Sequence, residues 1–265
     1  KVQRVSPQGV VLNAGITLGP GDYHPDIASD LYRCLVVWSQ EYSGVKARFV
    51  NTNGQPEGPV IDIAPTLATS TLPAVAFGPE HYLIVWHDFC PTGTDLDIYG
   101  QLVSTSGTLI GDKIVIGDGG ASQAYPAAAS DSNTCLVVWI EDGMNVLGRS
   151  LTAQGTPLGP AFNVSDNSAY EKQLPSTAAG AEQYLVSWNE FHTDFDLYGN
   201  LDTPTGVSEY DIEIPVLTNR IERFLETGAR LYDVLGRIVT GHSVNPGIYF
   251  LVRENSVARK IVLVQ

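Results

Sequence analysis

All four tryptophans of the chain stand at the end of one recurring motif: Cys34-Leu-Val-Val-Trp38, Tyr82-Leu-Ile-Val-Trp86, Cys135-Leu-Val-Val-Trp139 and Tyr184-Leu-Val-Ser-Trp188. They are 48, 53 and 49 residues apart. A proline precedes each by 13 residues, at Pro25, Pro73, Pro126 and Pro175. Behind each comes a landmark pair, Ala47-Arg48, Gly100-Gln101, Gly148-Arg149 and Gly199-Asn200, and 6 residues after its polar member a glycine, Gly54, Gly107, Gly155 and Gly206. Gly58, Gly111 and Gly159 follow 4 further on, while the last copy has Tyr210 there. A self-similar period of this length restricts the fold to arrays built from one supersecondary unit.

Each unit reads as four short strands. The first follows the proline, as in Ala74-Val75-Ala76 and Ala127-Ala128-Ala129. The second is the apolar run ending in tryptophan, rich in the β-branched residues that suit a pleated surface. The third runs through Asp97 to Val103 and its equivalents. The fourth is Val60–Ile63, Lys113–Ile116, Ala161–Val164 and Asp211–Ile214, joined to the third by turns such as Asn53-Gly54 and Ser106-Gly107. Four strands in about 40–50 residues is the arithmetic of a β-propeller blade. The second strand, apolar on both faces, is expected between neighbouring blades, with Trp38, Trp86, Trp139 and Trp188 as the repeated structural core. An open linear stack of sheets is the alternative array.

Residues 1–20 align with the back half of a unit: Gly9 stands for Gly54, Gln3 for Arg48, and Ile16 to Leu18 for the fourth strand. The expectation is an all-β, propeller-like array of about four and a half units over 1–215, plus a small C-terminal β-sandwich-like module over 216–265. The two missing front strands would come from the C-terminal region or from another chain.

The repeat pattern of Tyr82-Leu-Ile-Val-Trp86, Asp97-Ile-Tyr-Gly-Gln101 and a turn glycine resembles repeats of secreted bacterial β-propeller-like proteins. That resemblance implies the fold and an extracellular habit, and brings no catalytic residues. Beyond Leu217 the pattern changes. Ile221, Phe224 and Leu225 are at helical spacing before Gly228, so a short helix is expected over 218–228. Tyr232-Asp-Val-Leu-Gly-Arg-Ile-Val239, Pro246-Gly-Ile-Tyr-Phe250 and Lys260-Ile-Val-Leu-Val264 then resemble, in order and place, the C-terminal sorting domain of proteins exported by the type IX secretion route. The resemblance covers 229–265, without the usual upstream strands. Alternation and turn residues divide this stretch into four strands.

Composition excludes several functions. Hydrophobic residues make up 43% and charged residues 17%, enough for a core. No apolar run reaches the 18 residues a transmembrane helix needs. Lys and Arg number 15 against 29 Asp and Glu, a net charge of −14, which opposes binding to nucleic acid or to anionic lipid. The first residues, Lys1-Val2-Gln3-Arg4, carry no apolar signal region. The 3 cysteines make no disulfide framework; Cys34 and Cys135, on equivalent strands, are expected as buried free thiols, with Cys90 in a loop.

Chemistry-bearing constellations are sparse. His24, His81, His87, His192 and His242 form no metal-ligand spacing, and His87 reads as a solvent-side strand-end residue. No nucleophile elbow or phosphate-cradling loop occurs. Asp95-Leu-Asp97 and Asp194-Phe-Asp196 occupy equivalent hairpins. They are turn residues that cap their own backbone, or a Ca²⁺ site through Asp95, Asp97, Asp194 and Asp196. No other cofactor is expected. Paired carboxylates would also suit a glycosidase, but the sequence does not set their separation.

The resulting expectation is a non-enzymatic extracellular or cell-surface structural protein. It would self-assemble into a filament, sheath or layer through terminal strands within 1–20 or 229–265, since unpaired strand edges invite pairing. The alternatives are a secreted propeller that binds glycan or protein, and a non-catalytic part of a secreted hydrolase.

Overall fold

The structure is a computed structural model that describes residues 1–19, 23–40, 43–64, 72–90, 93, 95–131, 133–165, 169–180, 183–191, 195–202, 230–233, 247–252 and 259–263, the last four stretches as backbone alone. It divides into two compact units, Lys1–Val207 and Ser208–Gln265.

The first unit is a propeller of antiparallel sheets, each a simple meander. The first blade holds β1 (Tyr23–Ser29), β2 (Arg33–Gln40), β3 (Gly44–Asn51) and β4 (Pro56–Ala64). The second holds β5 (Ala74–Phe77), β6 (His81–Phe89), β7 (Leu96–Ser104) and β8 (Leu109–Gly117). The third holds β9 (Gln123–Ser130), β10 (Thr134–Glu141), β11 (Asn145–Thr152) and β12 (Phe162–Asn163). The fourth shows β13 (Glu171–Ala179), β14 (Tyr184–Phe191) and β15 (Phe195–Asp202); the fourth strand expected at 211–214 lies outside the described residues. Residues 1–18 form the half unit, with bridges Val2 to Ile16 and Val5 to Val11.

The blades are held together by apolar layers between them. Leu35, Val37, Val45 and Ala47 of the first blade meet Ile84, Trp86 and Tyr99 of the second. Leu83, Val85 and Ile98 meet Val137 and Trp139 of the third. Leu136, Val138 and Val146 meet Val186 and Trp188 of the fourth. Trp38 packs instead with Leu18 and Val2 of the half unit. Each tryptophan thus belongs to the layer between its own unit and the one before it. Tyr82–His87 and Cys135–Ile140 are buried without alternation, as strands covered on both faces must be. The run in β14 differs: alternate residues are buried, and Leu185 is exposed.

The landmark residues have a structural reason. Gly9, Gly54, Gly107 and Gly155 all have φ between 76° and 89°, the left-handed turn conformation that glycine adopts without penalty. Arg48 and Arg149 reach in two directions. Nε of each donates to a carbonyl of its own hairpin, Gly58 at 3.0 Å or Gly159 at 2.8 Å. Nη1 donates to the preceding unit, Leu18 or Ile116. Gln101 makes the first contact alone, to Ile110 at 2.9 Å.

Cys34, Cys90 and Cys135 form no disulfide among the described residues. Cys135 is buried, which pushes its thiol pKa up, and it donates to Ser130 Oγ at 3.3 Å; Cys34 is half-buried rather than buried.

The second unit shows one antiparallel sheet of β16 (Arg230–Asp233), β17 (Gly247–Val252) and β18 (Arg259–Leu263), in that order. The helix expected over 218–228 and the strand segment at 238–239 lie outside the described residues. No helix among the described residues is long and apolar enough to cross a membrane.

Candidate functional site

The repeated prolines do not precede the inner strands, as their spacing suggested; three of them lie inside. Pro25, Pro126 and Pro175 interrupt β1, β9 and β13 where the pairing register shifts: between Tyr23 and Asp26, opposite Val138 to Ile140, and between Gln173 and Ser176. Proline donates no ladder hydrogen bond, so a bulge on an edge strand is where a sheet accommodates it. The residue before each ring proline has positive φ: His24 at 54°, Leu72 at 38°, Tyr125 at 56° and Leu174 at 49°. Few non-glycine residues take this conformation, and surrounding structure must hold it in place.

These four X-Pro steps meet. His24, Pro25, Leu72, Pro73, Tyr125, Pro126, Leu174 and Pro175 together line one cavity of about 250 Å³ between the inner strands. Pro73, Pro126 and Pro175 are buried, while Tyr125 and Leu174 remain 39% and 59% exposed. The bulge re-aims the residue before the proline, and the proline backs it.

A second layer fixes this ring. Asp26 Oδ2 accepts from the Val75 amide at 2.8 Å, tying the first inner strand to the second. His87 Nδ1 accepts from the Tyr125 amide at 3.4 Å, and the two rings lie edge to face at 6.4 Å. His87 is therefore not on the solvent side, as its strand-end position suggested. It is 5% exposed and supports a cavity residue of the next blade. Lys172, fully buried, donates its amide to Gly143 at 2.7 Å and sets its ammonium 3.6 Å from Glu190, which is also buried.

The carboxylates singled out in the sequence lie elsewhere. Asp95 is half-buried at the start of the β7 hairpin, and its carbonyl accepts from the Cys90 amide. Asp97 is buried on the face of β7 that carries Tyr99, whose hydroxyl donates to it at 3.1 Å. Its Oδ1 has no hydrogen-bond partner among the described residues. Burial raises the Asp97 pKa, Asp118 and Asp95 add to this, and the Tyr99 hydroxyl and Lys113 oppose it. Burial likewise pushes Tyr99 up to about 12. Asp194 lies outside the described residues, and Asp196 is described as backbone only, paired with Glu190. No three His, Cys, Asp or Glu side chains among the described residues are grouped to hold a metal ion.

The raised pKa of Asp97 has a pH consequence. A carboxyl whose folded pKa lies above its unfolded value of about 3.9 contributes stability that is fully present below that value and lost as pH rises through the folded one. Asn carries no charge to desolvate at any pH. Asp97→Asn is expected to melt higher than the wild type at neutral pH, with the gap closing below about pH 4; thermal melts at the two pH values check this.

No family model matches the chain, and no curated protein matches it. Solved structures do. The Bacteroides ovatus xyloglucan PUL protein GH43B shares 12% identity, with 88% of this chain covering 48% of that one at a TM-score of 0.51. An endo-arabinase from Bacteroides thetaiotaomicron shares 11%, with 91% of this chain covering 93% of that one, also at 0.51. A GH43 endo-arabinanase from Bacillus licheniformis shares 12% over 91% of this chain and 94% of that one, at 0.49. The chain spans about half the length of the Bacteroides ovatus protein. At these identities the likeness is one of fold, and it establishes the first unit as a β-propeller of the kind seen in these proteins.

This finding corrects the expected function. Two solved structures that share the fold are a GH43 protein and an endo-arabinase, which overturns the expectation of a non-enzymatic, self-assembling structural protein. That expectation rested on strands at 1–20 and 229–265 whose partners were expected elsewhere. In the structure Val2 pairs with Ile16 through two backbone hydrogen bonds of 2.9 Å, and Leu18 is buried against Val36, Trp38 and Val50. These contacts join the hairpin's two arms to each other and its end to the first blade.

Proposed function

We propose that the chain is an extracellular, glycan-processing propeller that takes one sugar unit of a glycan into the cavity between its inner strands. The observation that carries this reading is the ring of four strained X-Pro steps that lines that open cavity. Strain that the fold must sustain at several points around one concavity is characteristic of ligand sites. A volume of about 250 Å³ suits a single ring, below the range of drug-sized pockets. Tyr125 offers an aromatic face and a hydroxyl, and His24 a second hydrogen-bonding group. The glycoside hydrolases that share the fold favour a sugar over other ligands of this size. The C-terminal resemblance to a type IX sorting domain supports export.

Titration calorimetry with oligosaccharides of arabinan, xylan and xyloglucan tests this. At least one series is expected to bind the wild type, and Tyr125→Ala is expected to weaken it at least tenfold while leaving the melting temperature within a few degrees. Absence of binding to every series, or binding unaffected by Tyr125→Ala, would overturn the reading.

Hydrolysis at a second place is favoured by one observation. Asp88 and Asp97 are direct cross-strand partners on β6 and β7, so their Cβ atoms are about 4.5–5.5 Å apart. Burial raises the Asp97 pKa, and a raised-pKa carboxyl paired across a ladder with a second carboxyl supplies the two groups a glycosidase uses. Asp97 is covered, so this reading requires its cover to open. It predicts that Asp97→Asn, expected to fold, abolishes release of reducing ends from the same glycans. Unchanged release excludes Asp97.

A further inference from the structure

The X-Pro steps recur in every blade, but the residue after each tryptophan changes: Ser39, His87, Ile140 and Asn189. His87 pairs with Ile98, and cross-strand partners share a face, so it lies on the side of the second blade that meets Trp139 of the third. There its Nδ1 accepts from the Tyr125 amide at 3.4 Å, and its ring stands edge to face with the phenol at 6.4 Å. The third blade supplies an internal control. Ile140, buried in the next layer, offers no side-chain acceptor, yet Leu174 of the fourth blade takes nearly the same φ as Tyr125, 49° against 56°. The strained turn therefore forms without an acceptor at this place, and what the imidazole adds is specific to Tyr125. We propose that His87 is a positioning residue of the cavity, which holds the Tyr125 phenol in the orientation that meets the ligand. The proposal rests on the glycan reading above.

A tyrosine needs such a hold more than a leucine does. Leu174 meets a ligand by apolar contact, which has no direction, whereas a phenol hydroxyl bonds only over a narrow range of distance and angle. Tyr125 also carries the longest of the four side chains before the ring prolines, so a swing of about 10° at its base moves the hydroxyl roughly 1 Å, more than a working site tolerates. Its own packing leaves 39% of it exposed. His87, at 5% exposed, is the fixed partner of the two. An amide N–H only donates, so Nδ1 is an acceptor and the proton of the neutral imidazole is on Nε2. The hydrogen bond thus sets the tautomer and the rotation of the imidazole, and the imidazole in turn sets the phenol through the edge-to-face contact. The bulge aims Tyr125 at the cavity, and His87 keeps it there.

NMR and calorimetry on the full chain, labelled at histidine and tyrosine, test this with two variants. His87→Leu removes both the acceptor and the ring, while His87→Asn keeps an acceptor, Oδ1, where Nδ1 stood. Ile140 and Asn189 fill the equivalent place in other blades, so an aliphatic and an amide side chain both suit it and both variants are expected to fold. In the ligand-free wild type the His87 nitrogens are expected to report the Nε2–H tautomer. His87→Leu is expected to release Tyr125, seen as averaged ring and amide signals. It should weaken the tightest-binding oligosaccharide of the arabinan, xylan and xyloglucan series at least tenfold, and His87→Asn should recover at least a third of the wild-type affinity. An Nδ1–H tautomer, or a Tyr125 as ordered in His87→Leu as in the wild type, overturns the positioning role whatever binds. A smaller loss of affinity in His87→Leu, or an asparagine variant as weak as the leucine one, overturns its bearing on the ligand and leaves the glycan reading standing. A released Tyr125 in a chain whose wild type binds none of the series leaves the hold on Tyr125 standing and removes the glycan reading.

Discussion

Replacing Trp139 by alanine is expected to destabilise the first unit by about 3–5 kcal/mol, the cost of removing a large aromatic from a rigid core. Trp139 has no exposed surface and lies between Leu83, Val85 and Ile98 of the second blade and Val137 of its own. That layer has little freedom to collapse, because β6 and β10 are each paired on both sides within their blades. Its indole edge lies beside Gly117 at the end of β8, where an added Cβ would stand 3.1 Å from it and 2.1 Å from Gln123 Oε1. The same change at Trp38, 6% exposed and packed on the half unit, should cost less. Urea unfolding of the two variants checks the order. Equal costs would mean that the layer between the half unit and the first blade is as rigid as the layers between full blades.

The second large effect is expected at the Lys172–Glu190 pair. Both side chains are buried, their charged atoms are 3.6 Å apart, Lys172 Nζ also donates to the Tyr170 carbonyl at 3.3 Å, and the Trp188 indole donates to Glu190 at 3.4 Å. Lys172→Met leaves a carboxylate in the interior with its cation gone. That is expected to cost about 3–5 kcal/mol, because most of the loss is the stranded charge. Lys172→Met/Glu190→Gln removes both charges and keeps an acceptor for Trp188, so it should recover most of that loss. A double variant no more stable than Lys172→Met would show that the ammonium serves other partners more than Glu190.

Much of the propeller was legible because its signals are local. The Trp offsets fixed the unit, the turn glycines fixed the hairpin between third and fourth strands, and β-branched runs fixed the second strand. Arg48 and Arg149 were visible as landmarks, but not their purpose, since the carbonyls they bind belong to the preceding unit. The cavity was not legible. Proline spacing marked the inner strands correctly, yet a proline inside an edge-strand bulge and one just before a strand look alike in sequence. Nothing local announces that His24 and Tyr125 adopt positive φ, and their meeting depends on contacts across about a hundred residues. His87 misled for the same reason: its neighbours along the strand are no guide to Tyr125 in the next blade. Nothing in the sequence marks Lys172 and Glu190 as a buried pair, and only the fold brings them together. The expected function leaned on the terminal strands, which carry no chemistry, and the solved structures that share the fold overturned it.

The most direct measurement is a crystal structure of the chain grown with the tightest-binding oligosaccharide of the arabinan, xylan and xyloglucan series. The expected result is one sugar ring in the cavity lined by His24, Leu72, Tyr125 and Leu174. A sugar bound instead on the outer strands β4 or β8, with the ring of X-Pro steps unoccupied, would contradict the assignment of the cavity as the ligand site.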